Sequence, residues 1–452
     1  MADESEGKQA TTGISRRELL KRAGVGAGGM ALSGAIPTAA WARPKGTSTA
    51  AANTIKLGFI SPITGPAAGF GEGDAYIIGL AKKAFAKGLT IGGQHYGVEI
   101  VSKDSQSNPA RCAQVANDLI HSENVDLLLA TSTPESVNPA SDAAEAAQVP
   151  SIATIVPWQS WYFGRGAKPG KPSPFKYSYL FCFGGEDFGV AYTHLWPQVK
   201  TNKRIGVMWP NDADGNAFRE SLGPFLEKAG YKIIDPGAYQ DGTTDYTKLI
   251  SVYKKNNCQI FHCGPIPPDF TTLWRQAAQQ GYTDMVKIAQ LAKTGLFPSQ
   301  VSILGKLGPK LASGAYWTPH FPYVSPLTGL SSKKIGDGYT QKTGRQWNQQ
   351  LGASMSLFDV AQAVLKKAGD PNDKSKVANA FTHLNVLTAS GQLHWGVGGK
   401  HNPVPPVVTT PIIGGQWVPQ PKGSKFPLDF VLCEHSGDPH VPIQARLKPY
   451  PG

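Results

Sequence analysis

Runs of apolar residues just long enough for buried strands alternate with segments of helical periodicity, and the whole pattern starts twice along the chain. This repetition constrains the fold more than any single motif. Strands and helices joined by short links build a parallel sheet covered on both faces. The first series opens with Ile55, Leu57 and Phe59, a strand stopped by Pro62 and followed by the turn Thr64-Gly65-Pro66. Ile77, Ala81, Ala84 and Phe85 form a helical stripe that ends near Gly88. A strand with Val98 and Ile100, a helix started by Asn108-Pro109, a strand over 125–129, an Ala-rich helix over 139–148 and a strand over 151–156 follow. A loop rich in Gly, Pro and aromatic residues spans 157–174. The second series predicts strands over 204–209, 232–234, 259–263 and 285–289, with helices over 215–229, 245–255 and 268–280 between them. Beyond it, 357–367 and 377–384 read as helices and 407–413 as a short strand. The expectation is an α/β protein of two similar lobes. In open α/β sheets small molecules sit beyond the carboxyl ends of the strands, where helix N-termini offer free N–H groups. The loop after the first strand therefore marks a ligand site.

The N-terminus carries three signal regions in order. Ser15-Arg16-Arg17-Glu18-Leu19-Leu20-Lys21 has the shape of a twin-arginine export signal, a Gly/Ala-rich stretch covers 23–36, and Ala40-Trp41-Ala42 flanks a cleavage point. Residues 1–42 are expected to be a signal peptide, 43–53 a flexible linker, and the mature protein periplasmic. No later run is apolar enough to span a membrane. The net charge of +12 is spread thinly, since charged residues make up only 17% of the chain. Without a basic run interleaved with aromatics, nucleic acid is not an expected partner. The excess favours acidic ligands or an anionic surface by long-range steering. The cysteines are Cys112, Cys182, Cys258, Cys263 and Cys433. An odd count leaves at least one outside any disulfide pairing within the chain, and buried thiols throughout are the other reading.

Several stretches occur in an order that resembles the leucine/isoleucine/valine-binding family of ABC-transporter solute-binding proteins. They are Thr64-Gly65-Pro66 with Phe70-Gly71, Lys103-Asp104-Ser105-Gln106-Ser107-Asn108-Pro109, and Asn138-Pro139-Ala140-Ser141-Asp142 with Val149-Pro150. In the second series they are Asn211-Asp212-Ala213-Asp214-Gly215, Gly242-Thr243-Thr244-Asp245-Tyr246, and Arg275-Gln276-Ala277 with Gly281-Tyr282. The resemblance covers roughly residues 54–400. It implies the type I periplasmic binding protein fold, two Rossmann-like lobes joined by a three-stranded hinge that closes on ligand. Lobe 1 is expected over 54–180 and 322–395, and lobe 2 over 181–321 and 396–452. The implied partners are a small-molecule ligand and an ABC-transporter membrane permease, with no cofactor and the chain a monomer.

The resemblance also implies which positions face the ligand. An amino acid's α-carboxylate is held in such proteins by hydroxyls and N–H groups of two loops, here at Ser132 and Thr133 and at Ile155, Pro157 and Trp158. Pro157 has neither hydroxyl nor N–H. Phe70 stands where an aromatic lines the pocket. In the second lobe Ile266 falls at a usual aromatic, and Gln290 near the acid that pairs the α-ammonium. An uncharged Gln cannot compensate a buried ammonium. Asp214 or Glu186 is then left to supply that charge. The expected ligand is therefore not a standard aliphatic amino acid but an aromatic or other organic acid or amide. Trp158, Trp161, Tyr162 and Phe163 either stack on it or, above all for Tyr162 and Phe163, cover the lobe. No nucleophile elbow, zinc-protease helix or phosphate loop is present, so an enzyme is not expected. Cys433, His435, Asp438 and His440 form the best metal-like group, although Gly437 and Pro439 give it the character of a surface turn. His262 reads as a core residue. A ligand sensor of the same fold without a transporter, and a metal-binding exported protein, are the alternatives.

Overall fold

A computed structural model describes residues 53–450 of the 452. The export signal and most of the linker lie outside the described residues. Chain order runs β1 Thr54–Ser61, β2 Leu89–Ile91, β3 Gln94–Asp104, β4 Leu127–Thr131, β5 Ser151–Thr154 and β6 Ser178–Phe181. It continues with β7 Arg204–Met208, β8 Lys232–Ile234, β9 Ile260–Cys263, β10 Ile288–Leu291 and β11 Ala312–Ala315. The last strands are β12 Asn385–Thr388, β13 Gly391–His394, β14 Val407–Val408, β15 Ile413–Pro419 and β16 Leu428–Leu432. Two seven-stranded sheets result, in the orders β14-β6-β5-β4-β1-β3-β2 and β16-β15-β11-β10-β9-β7-β8. Each has a parallel centre, as strand–helix alternation requires. The central strands β4, β5, β9 and β10 are buried along their whole length.

Local chemistry accounts for most helix boundaries. The Asn108 side chain accepts from Arg111 N and caps the helix Pro109–Asn117, whose first residue needs no N–H partner. Asp212 caps the next lobe's helix Ala213–Ala217 in the same way, through Gly215 N at 2.6 Å. Gly344 and Gly369 take left-handed conformations that end the helices Ser332–Thr343 and Gln350–Ala368. The Ala-rich helix starts earlier than its composition indicates, at Pro134, and carries Pro139 within it. The strand expected over 285–289 begins only at Ile288, because Met285 N and Val286 N close a turn on Tyr282 and Thr283.

The chain passes between the sheets after β6, after β11 and after β14. The last passage corrects two expectations. The single strand over 407–413 is two strands in different sheets, and β14 belongs with the first lobe although 396–452 was assigned to the second. Val407 and Val408 pair with Leu180 and Phe181, after which the chain turns over to β15. All five cysteines are buried and free. Among the described residues no helix is long and apolar enough to cross a membrane.

The second passage carries Trp317, fully buried, with Nε1 donating to Ser332 Oγ at 3.2 Å. Its ring lies against Gly352 so closely that a Cβ there would overlap it. Gly to Ala in a helix interior ordinarily stabilises by about 1 kcal/mol. At Gly352 the sign should reverse, since overpacking costs about 1–3 kcal/mol and the ring has no room to retreat. Gly352→Ala is expected to lower unfolding free energy by about 2 kcal/mol, measured by guanidinium denaturation. A gain would show that Trp317 moves freely.

Candidate functional site

A cavity of about 40 Å³ lies between the lobes, at the carboxyl ends of strands from both sheets. On the first lobe, the loop after β1 is tied down by Asp104, whose carboxylate accepts from Ile63 N, Thr64 N and Thr64 Oγ1. Gly65 has φ +90°, and a Cβ there would sit 2.6 Å from Gln106 O. Only glycine suits this turn. The loop delivers Phe70 to the cavity, edge-on to Phe297 of the second lobe with ring centroids 4.8 Å apart. The loops after β4 and β5 face each other next to it. Ser132 N donates to Thr154 O, and Thr133 N to Ile155 O at 3.1 Å. Ser132, Thr133 and Ile155 have φ of 73°, 67° and 58°. Positive φ is unfavourable for β-branched residues, and such strain concentrates where a ligand is handled.

On the second lobe the wall is made by Phe188, Phe218, Asp214, Lys293 and Leu296, with Phe183, Tyr316 and Ile412 from the three passages between the sheets. Aromatic rings thus surround the cavity on most sides. Its charge is confined to one ion-paired group. Lys293 Nζ lies 2.8 Å from Asp214 Oδ2 and 3.3 Å from Asp212 Oδ2. Burial alone would lower Lys293, but Asp212, Asp214 and Glu135 together outweigh it and hold the ammonium well above its ordinary pKa. Burial raises the Asp214 carboxyl, with Lys293 pulling the other way.

Of the ten expected site residues, Phe70, Thr133, Ile155, Pro157 and Asp214 line the cavity. The structure places the other five elsewhere. Ser132 Oγ turns to Thr131 Oγ1 behind the wall. Trp158 Nε1 donates to Glu186 Oε1 at 2.6 Å, so neither group points to the cavity; Glu186 lies instead in a surface pocket with Asp187 and Lys400. Ile266 occupies the N-cap position of the helix Pro267–Gln279. Gln290 is buried within β10 of the second sheet, accepting from Trp196 Nε1 at 3.0 Å. Trp161 and Tyr162 pack on Phe175 as lobe cover, with Arg165 stacked on Trp161 and Phe175. His262 is a core residue that accepts from Trp209 Nε1, and burial pushes its pKa down to about 3. Cys433, His435 and Asp438 spend their polar atoms on Val431 O, Val441 O and the Tyr323 hydroxyl. Among the described residues no group of three or more His, Cys, Asp or Glu is arranged to hold a metal ion.

A polar network supports the first-lobe wall from behind. Ser354 Oγ donates to Asp74 Oδ1, Gln350 Nε2 to Thr131 Oγ1, and Tyr316 OH to Gln350 Oε1. Among the described residues Asp74 Oδ2 has no partner, and burial raises its carboxyl to about 7 against the hydrogen bond from Ser354.

Two lobes of this topology, enclosing a cavity at their strand ends, define a periplasmic binding protein. A model of the family described as "Periplasmic binding protein" matches residues 54–415, and the chain belongs to that family. It is 26% identical over 234 residues to the leucine-, isoleucine-, valine-, threonine- and alanine-binding protein of Pseudomonas aeruginosa, covering 51% of this chain and 59% of that relative. The match thus spans less than two thirds of the relative's length. A leucine binding protein from Thermotoga maritima superposes with a TM-score of 0.66 at 19% identity, covering 83% of this chain and 97% of that one. A solute binding protein of an ABC transporter from Rhodopseudomonas palustris, in complex with 3,4-dihydroxybenzoic acid, gives 0.67 at 16%, covering 84% and 96%. These structures share the fold.

Proposed function

We propose that this protein is the extracytoplasmic solute-binding component of an ABC importer, exported through its N-terminal signal, and that it captures a small aromatic carboxylate between its lobes. The observation that carries the ligand class is the ring of Phe70, Phe183, Phe188, Phe218 and Tyr316 around the cavity. Offset and edge-on ring contacts favour a planar aromatic ligand over a branched aliphatic one. A benzene ring needs a cavity of about 150 Å³. Loading one therefore requires the lobes to part and re-close, which couples occupancy to the shape a permease would read. The dihydroxybenzoate complex of the R. palustris neighbour agrees with this class.

Calorimetry of the mature protein with benzoates and with leucine tests the reading. Micromolar or tighter binding of a benzoate is expected, with a gain of about 2.7 kcal/mol in stability at a hundred times Kd. Tight leucine binding with no response to aromatic acids would overturn it.

A further inference from the structure

We propose that the ligand carries a hydrogen-bond donor on the side away from its carboxylate, a ring hydroxyl being the simplest, and that Asp214 is the specificity-determining residue that accepts from it. This rests on the aromatic-acid reading above and narrows it.

The two walls of the cavity differ in polarity. On the first lobe, Thr133 Oγ1 is buried without a partner among the described residues, at the start of the 13-residue helix Pro134–Ala146. A helix N-terminus with a free hydroxyl suits an anion. On the second lobe, Asp214 is 2% exposed and lines the cavity. Its Oδ2 is taken by Lys293, while Oδ1 is buried with no partner among the described residues. The second-lobe group holds one ammonium against two carboxylates, Asp212 and Asp214, so a ligand carboxylate is disfavoured beside it. A buried carboxylate oxygen left without a donor is costly. A water that satisfies it before binding must be replaced by a ligand group that also donates. A ring bearing only carbon, or an ether oxygen, at that place cannot do so.

The test is calorimetry on the wild-type protein with benzoate, 3- and 4-hydroxybenzoate and 3- and 4-methoxybenzoate, repeated with Asp214→Asn. At least one hydroxybenzoate is expected to bind about tenfold or more tighter than benzoate and its methoxy counterpart. In Asp214→Asn, with its fold checked by circular dichroism, that preference should fall to about threefold or less. If benzoate and the methoxybenzoates match the hydroxybenzoates in the wild type, the inference falls while the aromatic-acid reading stands. An unchanged preference in Asp214→Asn removes the role of Asp214. If no aromatic acid binds and leucine does, the underlying reading fails instead. Should Asp214→Asn not fold, Asp214→Ser takes its place, with the same fall in preference expected and an unchanged preference again removing the role of Asp214.

Discussion

Lys293→Met is expected to cost about 3–5 kcal/mol of unfolding free energy, the penalty for stranding buried carboxylates. Among the described residues the lysine is the single cation paired with Asp212 and Asp214, and all three side chains are close to fully buried. Removing it leaves two negative charges against each other beside an apolar cavity. The loss should be specific to the charge and not to the lysine's bulk, since methionine keeps most of the stem. The triple variant Lys293→Met, Asp212→Asn, Asp214→Asn should recover most of it. Asparagine at 212 retains the helix cap, so that end should survive. Denaturant titrations of the single and triple variants check this. A Lys293→Met loss under about 1 kcal/mol would mean that solvent reaches the carboxylates and screens them.

Asp74→Asn is expected to remove up to about 4 kcal/mol of pH dependence. The Asp74 carboxyl is raised from 3.8 to about 7, so in the folded protein its charged form is the disfavoured one. Its contribution is therefore a penalty present above pH 7. The penalty shrinks as pH falls through 7 and is gone below the unfolded value near 4. Wild-type stability should rise from this group on acidification across that window. Asp187 and Asp359 are also raised to about 7 and act in the same direction, so the informative quantity is the difference between wild type and variant. Unfolding free energies at pH 8, 6 and 4 give it. Curves that stay parallel would show that Asp74 is ionised in the fold, with Oδ2 hydrated.

The lobes were legible because their strands and helices differ in period, and because turns such as Thr64-Gly65-Pro66 have few alternatives. Asn108-Pro109 and Gly344 mark helix ends by chemistry that acts within a few residues. The second-lobe wall was hard to read for an equally physical reason. Every residue of β10 is buried, so alternation cannot tell which side chain faces the cleft. Gln290 was placed there by family register, yet it faces Trp196, and the cavity receives Lys293, two residues past the strand end. One signal was available. Lys293 is the sole charged residue between Ile288 and Gly305, and a lone charge at a strand's carboxyl end is costly unless something faces it. Glu186 failed for a different reason: its distant partners Trp158 and Gln159 lie in the short helix Trp158–Tyr162, whose position no local pattern determines. Phe183, Phe188 and Tyr316 lie in or next to passages between sheets, where hydrophobicity alone does not separate a cavity wall from a core.

The placement of β14, β15 and β16 has a consequence for biosynthesis. The first sheet acquires its edge strand only at Val407–Val408, and the second only at Ile413–Leu432. Tyr450 then ties the segment after β16 to the second lobe, its hydroxyl on Leu307 O and its backbone N on Lys287 O. A ribosome that has passed residue 400 but not yet reached Val407 has therefore made two sheets and completed neither. Until the last segment emerges, both offer open edges to neighbouring nascent chains. A clip or premature stop near residue 400 should then yield aggregate, not a functional half, and neither lobe can be produced as one contiguous fragment.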